Sequence, residues 1–144
     1  MKKVIFLSLA ISLIIGSCAQ EEKSPIEGAW QLVYGNWGSM EDTYPGQITG
    51  SGIKMWTNDC FAFAGKFQLD TVIVNNFGWG KYKFIEGNKY EENIMLHHTS
   101  PSLEGQTLRM LMEVRNDTLI QSWSADENWN LKENYSIEKY ARVK

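Results

Sequence analysis

The sequence predicts an all-β chain, most simply one antiparallel up-and-down barrel of about eight strands. Three observations predict it. Apolar and polar residues alternate at period two through run after run. Asn, Asp and Gly pairs that favour tight turns separate those runs at regular spacing. No convincing amphipathic helix interrupts them. Eight antiparallel strands make a barrel just wide enough to be filled by its own side chains or to hold one small ligand. A β-sandwich is the alternative that fits the same pattern.

The folded domain is expected over residues 26–144. It opens with Ile26 to Tyr34, where Gly28 permits a tight bend and Trp30, Leu32 and Tyr34 share one face. Asn36 to Ser51 carries Gly38, Pro45, Gly46 and Gly50 and is read as a long connection outside the regular sheet. A loop of that size in a compact barrel is usually functional or mobile. Gly52 to Thr57 and Cys60 to Phe67 form a hairpin turning at Asn58-Asp59, with Phe61, Phe63 and Phe67 on one face. Leu69 to Val74 fits either a strand or an excursion across the barrel mouth. Gly78 to Ile85 pairs with Lys89 to His98 across Glu86-Gly87-Asn88. Thr99 to Gln106 is a turn containing Pro and Gly. Thr107 to Val114 turns at Arg115-Asn116-Asp117 into Thr118 to Trp123, Ser124 to Lys132 is a polar loop, and Tyr135 to Val143 closes the chain.

Ahead of the domain, Lys2-Lys3 and the apolar run Val4 to Ile15 read as a secretory signal over residues 1–17, too short for a stable transmembrane span. Residues 18–25 then form a polar tether. Without the leader, 144 − 17 = 127 residues remain, enough for a single core. The leader removes two of the 14 basic residues and none of the 17 acidic ones, so the remainder is mildly acidic. That balance argues against nucleic acid, which needs a cationic face. Six Trp, six Tyr and six Phe suit a sheet that buries aromatic surface.

The leader's end, Ile14-Ile15-Gly16-Ser17-Cys18, resembles the lipobox of bacterial lipoproteins. The resemblance implies cleavage before Cys18, lipidation of Cys18 and attachment to a membrane through its acyl chains. The competing reading is an ordinary signal with an accidental cysteine. Ala19 after the cysteine resembles outer-membrane sorting, and Glu21-Glu22 resembles the acidic export tags of Bacteroidetes surface lipoproteins. Gly28-Ala29-Trp30 near the start and Tyr140-x-Arg142 near the end resemble the bracketing motifs of lipocalin-like barrels. Gly80-x-Tyr82, Asn88-x-Tyr90-x-Glu92-x-Ile94, Gly105 and Asp117 to Gln121 between them are similar to lipocalin-like lipoproteins of Bacteroidetes. The resemblance covers residues 26–143. It implies a barrel that binds a small apolar or amphiphilic molecule, with no established reaction.

Arg142 carries two readings. It stacks on Trp30 and closes one end of the barrel, as the resemblance implies, or with Tyr140 it binds a ligand carboxylate. Glu138 shares that face and could neutralise Arg142 instead. Tyr90, Glu92, Ile94 and Leu96 share a face, so Glu92 points inward unless the strand twists near Glu91-Glu92. An inward carboxylate needs a cation, for which Arg142 or Arg109 is available. Trp30, Phe61, Phe63, Tyr82, Tyr90 and Trp123 are expected to line the barrel, as core first and cavity wall second. Trp37, Tyr44, Phe77 and Trp129 fall in expected loops and could rim a mouth.

His97-His98 looks inviting for metal or haem, but adjacent strand residues face opposite ways and cannot enter one pocket. A surface or core histidine is the better reading. Asp126-x-Asn128-x-Asn130 begins like a calcium loop, then fails at Leu131 and Ile137. With Cys18 lipidated, Cys60 has no partner and reads as a small buried apolar residue. No nucleophile elbow, phosphate loop or metal motif occurs, so the residues point to no enzyme, cofactor or metal.

Two functional expectations follow. One is a membrane-anchored barrel that binds a small hydrophobic or amphiphilic molecule through Arg142, Tyr140, Glu92, Tyr90, Trp30, Phe63 and Trp123. The other is a filled barrel whose loops at 36–51 and 124–132 engage another protein of the cell envelope. A barrel enzyme using Glu92 has the least behind it.

Overall fold

The computed structural model describes residues 24–38 and 40–144. The leader and Cys18 lie outside the described residues. Nine strands follow in chain order: β1 Gly28–Asn36, β2 Thr43–Tyr44, β3 Ile48–Trp56, β4 Cys60–Leu69, β5 Val72–Glu86, β6 Lys89–His97, β7 Thr107–Arg115, β8 Thr118–Ala125 and β9 Leu131–Arg142. A single 3₁₀ turn, Pro101–Leu103, sits between β6 and β7. Every pairing is antiparallel, β1 pairs with both β3 and β9, and the sheet therefore closes. The result is an eight-stranded up-and-down barrel with β2 added beside β1. Closure removes the free edges that a sandwich would leave.

The tight turns fall where their residues predict them. Gly87 and Asn116 take positive φ, 57° and 54°, between β5 and β6 and between β7 and β8. The stretch 36–51 differs from expectation. Thr43–Tyr44 folds back on Gly35 and Asn36, and β3 begins at Ile48. Gly50 is a strand residue: its φ is +130°, and a Cβ there would strike the Lys66 carbonyl of β4. The glycine marks close approach of two strands, not a turn. Leu69 ends β4 and Val72–Val74 begin β5, so the ambiguous segment is the tip of a long hairpin turning at Asp70. β9 starts at Leu131, four residues before the expected Tyr135.

The core runs the length of the barrel interior and includes Trp30, Trp56, Phe61, Tyr82, Tyr90, Ile94, Met110, Leu119 and Tyr140, with Phe63 and Trp123 packed against them. Gly78 and Gly80 leave room inside β5 for the rings of Phe63 and Phe61.

Two bulges correct the faces read from strict alternation. The pairing of β1 with β9 shifts between Leu32 and Tyr34, so Tyr34 lies outside beneath the Lys139 ammonium and Gly35 takes the inner position. The pairing of β5 with β6 shifts after Gly80↔Ile94, so Leu96 lies outside opposite Trp79 and His97 turns inward. Phe77 belongs to β5, not to a loop. It faces outward against His98, the rings stacked 4.3 Å apart. With Ile53, Met55, Trp79 and Leu96 it forms an exposed apolar band across β3 to β6.

Candidate functional site

The two ends of the barrel are built differently. At the closed end, the Arg142 guanidinium lies 4.1 Å from the centre of the fully buried Trp30 ring. It donates to the carbonyls of Glu27 and Pro25, each at 2.9 Å. Trp30 Nε1 donates to the Ile26 carbonyl at 2.8 Å. Arg142 is thus occupied with the entering chain, as the stacking reading expects, and it does not line the cavity. Asp117 lies 3.9 Å from it. Four residues of strand, about 13 Å, separate Arg142 from Glu138, too far for neutralisation.

The opposite half encloses a cavity of about 90 Å³. Phe63, Phe67, Ile94, Leu103, Leu108 and Trp123 give it apolar walls. That volume is a fraction of the roughly 300–1,000 Å³ typical of drug-sized ligand pockets. Trp37, Tyr44 and Phe67 pack edge to face beside it, with Phe67 centroids 6.1 Å from Trp37 and 5.6 Å from Tyr44.

A buried polar chain floors the cavity. Glu92, 2 % exposed, points inward and accepts from Lys54 Nζ at 2.5 Å and from Tyr90 OH at 2.9 Å, both on Oε1. Trp56 Nε1 donates to Tyr90 OH at 2.7 Å. Lys54, 5 % exposed, also donates to Gln121 Oε1 at 3.1 Å and stands over the rings of Phe61 and Trp56 at 4.7 and 5.0 Å. The cation that answers Glu92 is therefore Lys54, not Arg142 or Arg109. Arg109 pairs with Glu91 on the outside at 3.3 Å. Removing both charges from water is costly, and only the short contact and the surrounding donors offset it. Burial, aided by the neighbouring Glu92 charge, holds the Tyr90 phenol well above its ordinary pKa.

Nearer the mouth, Glu138 accepts from Trp37 Nε1 at 2.7 Å and from Tyr140 OH at 2.8 Å. Burial and then Glu138 raise the Tyr140 phenol well above its usual range, so it stays a donor. His97 lines the same cavity, its ring 5.1 Å from that of Phe63. The Ser100 N–H donates to its Nδ1 at 3.2 Å, which leaves the proton of the neutral ring on Nε2. Burial, then the Lys54 charge, lower its pKa. Trp123 Nε1 is buried with no hydrogen-bond partner, and Gln121 Nε2 meets only Met110 Sδ, at 3.0 Å.

Of the residues singled out from the sequence, Glu92, Tyr140, Phe63 and Trp123 meet in the cavity wall. Tyr90 lies beneath it, while Trp30 and Arg142 close the far end. Sequence reasoning missed Lys54 and Gln121. Among the described residues no group of three or more His, Cys, Asp or Glu is placed to hold a metal. Asp126 instead caps its own loop, accepting from the N–H groups of Asn128 and Asn130 at 2.8 and 2.9 Å. Cys60 is half-buried with its thiol on Asp59, which pushes its pKa up, away from reactivity. No model of a known protein family matches the chain, and no curated protein matches it.

Proposed function

We propose that this protein is a lipid-anchored binding barrel of the bacterial cell envelope, of the lipocalin-like lipoprotein type, that takes the polar end of a small amphiphile. The observation that carries the reading is the cavity of about 90 Å³, apolar at the sides and polar at floor and wall, with the carboxylate of Glu138 held there by neutral donors. A barrel serving only as a scaffold gains nothing from a buried charged floor, since well-packed apolar residues would be as stable or more so. The lipobox-like segment ending at Cys18 supports the anchor, and the acidic balance of the mature chain supports a partner other than nucleic acid.

Native mass spectrometry of the mature chain, extracted from its host membrane in mild detergent, tests the reading. The expected spectrum shows a bound molecule of discrete mass that is lost in Leu108→Trp, which fills the cavity. A bare chain that also fails to enhance the emission of apolar dyes would overturn it. Cys18→Ser is expected to release the chain from the membrane fraction; retention there would remove the anchor from the proposal.

The exposed band of Ile53, Met55, Phe77, Trp79 and Leu96 favours a second contact, with another envelope component. Trp79→Ser is expected to abolish a photo-crosslink formed from position 55, and an unchanged crosslink would exclude the band.

A further inference from the structure

The charge on the cavity wall is unbalanced. Lys54 is the one lysine among the lining residues, and Glu92 and Glu138 are its two carboxylates. Lys54 is spent on Glu92. Glu138 is held only by the neutral donors Trp37 and Tyr140, and among the described residues no basic nitrogen lies within 4.0 Å of it. With His97 neutral, the cavity carries one negative charge in excess.

The Trp37 ring stands beside Glu138, with Phe67 packed against Trp37 and Trp123 in the same wall. Aromatic faces attract cations, organic ammonium ions above all. Hard metal ions call for six or more oxygen ligands, which this wall does not supply. A ligand carboxylate would meet Glu138 without a free guanidinium to offset it.

We propose that the cavity takes a small organic ammonium head group. Its nitrogen sits against Glu138 and the neighbouring rings. This rests on the reading of the barrel as a binding protein. The cavity of about 90 Å³ admits only a small head group, since drug-sized ligands fill pockets of roughly 300 Å³ or more. Any apolar remainder leaves past Phe67 and Leu103.

Ethanolamine, ethylene glycol and glycolate are matched in size and carry charges of +1, 0 and −1. Each is titrated into the mature chain in detergent while tryptophan emission is followed. Ethanolamine is expected to bind at least tenfold tighter than ethylene glycol, and glycolate more weakly still. Glu138→Gln is expected to erase that preference.

Equal affinity for ethanolamine and ethylene glycol, or tighter binding of glycolate, overturns the ammonium assignment and leaves the binding barrel standing. Binding of none of the three, together with a bare mass spectrum, overturns both. Vesicles rich in ethanolamine-headed lipid, compared with glycerol-headed ones, separate the two sources. Glu138-dependent capture of the former assigns a lipid head group, and equal capture with intact ethanolamine affinity assigns a free amine.

Discussion

The closed end and the mouth of this barrel use the same kinds of residue to opposite ends. At the closed end an arginine, a tryptophan and three backbone carbonyls satisfy one another, leaving Trp30 fully buried. At the mouth a carboxylate, two tryptophans and a histidine surround a cavity, and one tryptophan N–H has no partner. Each end keeps one buried polar atom without a partner among the described residues, Ser24 Oγ where the chain enters and Trp123 Nε1 where the loops gather, but only the second end holds a cavity. The stacked clasp and the cavity thus lie at different ends of one sheet.

That contrast can be broken most forcefully at Trp30. Trp30→Ala is expected to cost about 3–5 kcal/mol by denaturant melts, because it empties a core site and strips the stack from Arg142. Trp37→Ala at the mouth is expected to cost roughly 1 kcal/mol. Similar costs at the two positions would dissolve the division. Next comes the floor between them. Lys54→Met alone should destabilise by about 3–5 kcal/mol, since it strands the Glu92 charge in the interior. Lys54→Met combined with Glu92→Leu should recover much of that loss in the same melts. A double variant as unstable as the single one would mean that the pair is not an isolated ionic unit.

Alkaline titration sharpens the comparison further. Tyr90 and Tyr140 are raised well above 10.0 in the folded barrel. The folded state then binds more protons than the unfolded one above that pH, so stability is intact below about pH 10 and falls as pH rises beyond it. Ultraviolet titration should show both phenols ionising only with unfolding; early ionisation of either would open the interior to water. The smallest effect is expected at His97. Its pKa is lowered, so the unfolded chain takes up a proton first and stability declines as pH falls below 6.5. His97→Gln should flatten that limb of the denaturant-midpoint profile. An unchanged slope would assign the limb to other groups.

Most of the fold was legible because period-two runs and turn residues are local signals. Asn116, Gly87 and the Asn58-Asp59 turn fix hairpins within a few residues of sequence. The bulges were not legible. Val33 and Met95 carry no mark that they are extra residues, yet each reverses the facing of everything beyond it, which moved Tyr34 and Leu96 out and His97 in. Glu92 was visible as an inward carboxylate by parity with Tyr90 and Ile94. Its partner could have been found the same way. Lys54 shares parity with Trp56, so a strand that buries one buries the other. The aliphatic Ile53 and Met55 beside it obscure that parity, because the outer face of this strand is the apolar band. Glu138 was noted for its neighbour Arg142, while its actual partners lie across the barrel wall at Trp37 and beside it at Tyr140. Pairings between distant strands are set by closure, which no local pattern encodes.

The Arg142 clasp also has a mechanical side. A pull on the chain ahead of Ser24 reaches the barrel through Pro25 and Glu27, whose carbonyls the guanidinium grips. It passes next into β1, whose first residues, Gly28 to Gln31, are bonded to β3 and whose stretch from Trp30 to Asn36 is bonded to β9. Force along that strand loads two ladders of hydrogen bonds in shear, many at once, instead of unzipping them singly. Load entering by that strand is thus shared between two neighbouring strands from its first residues onward.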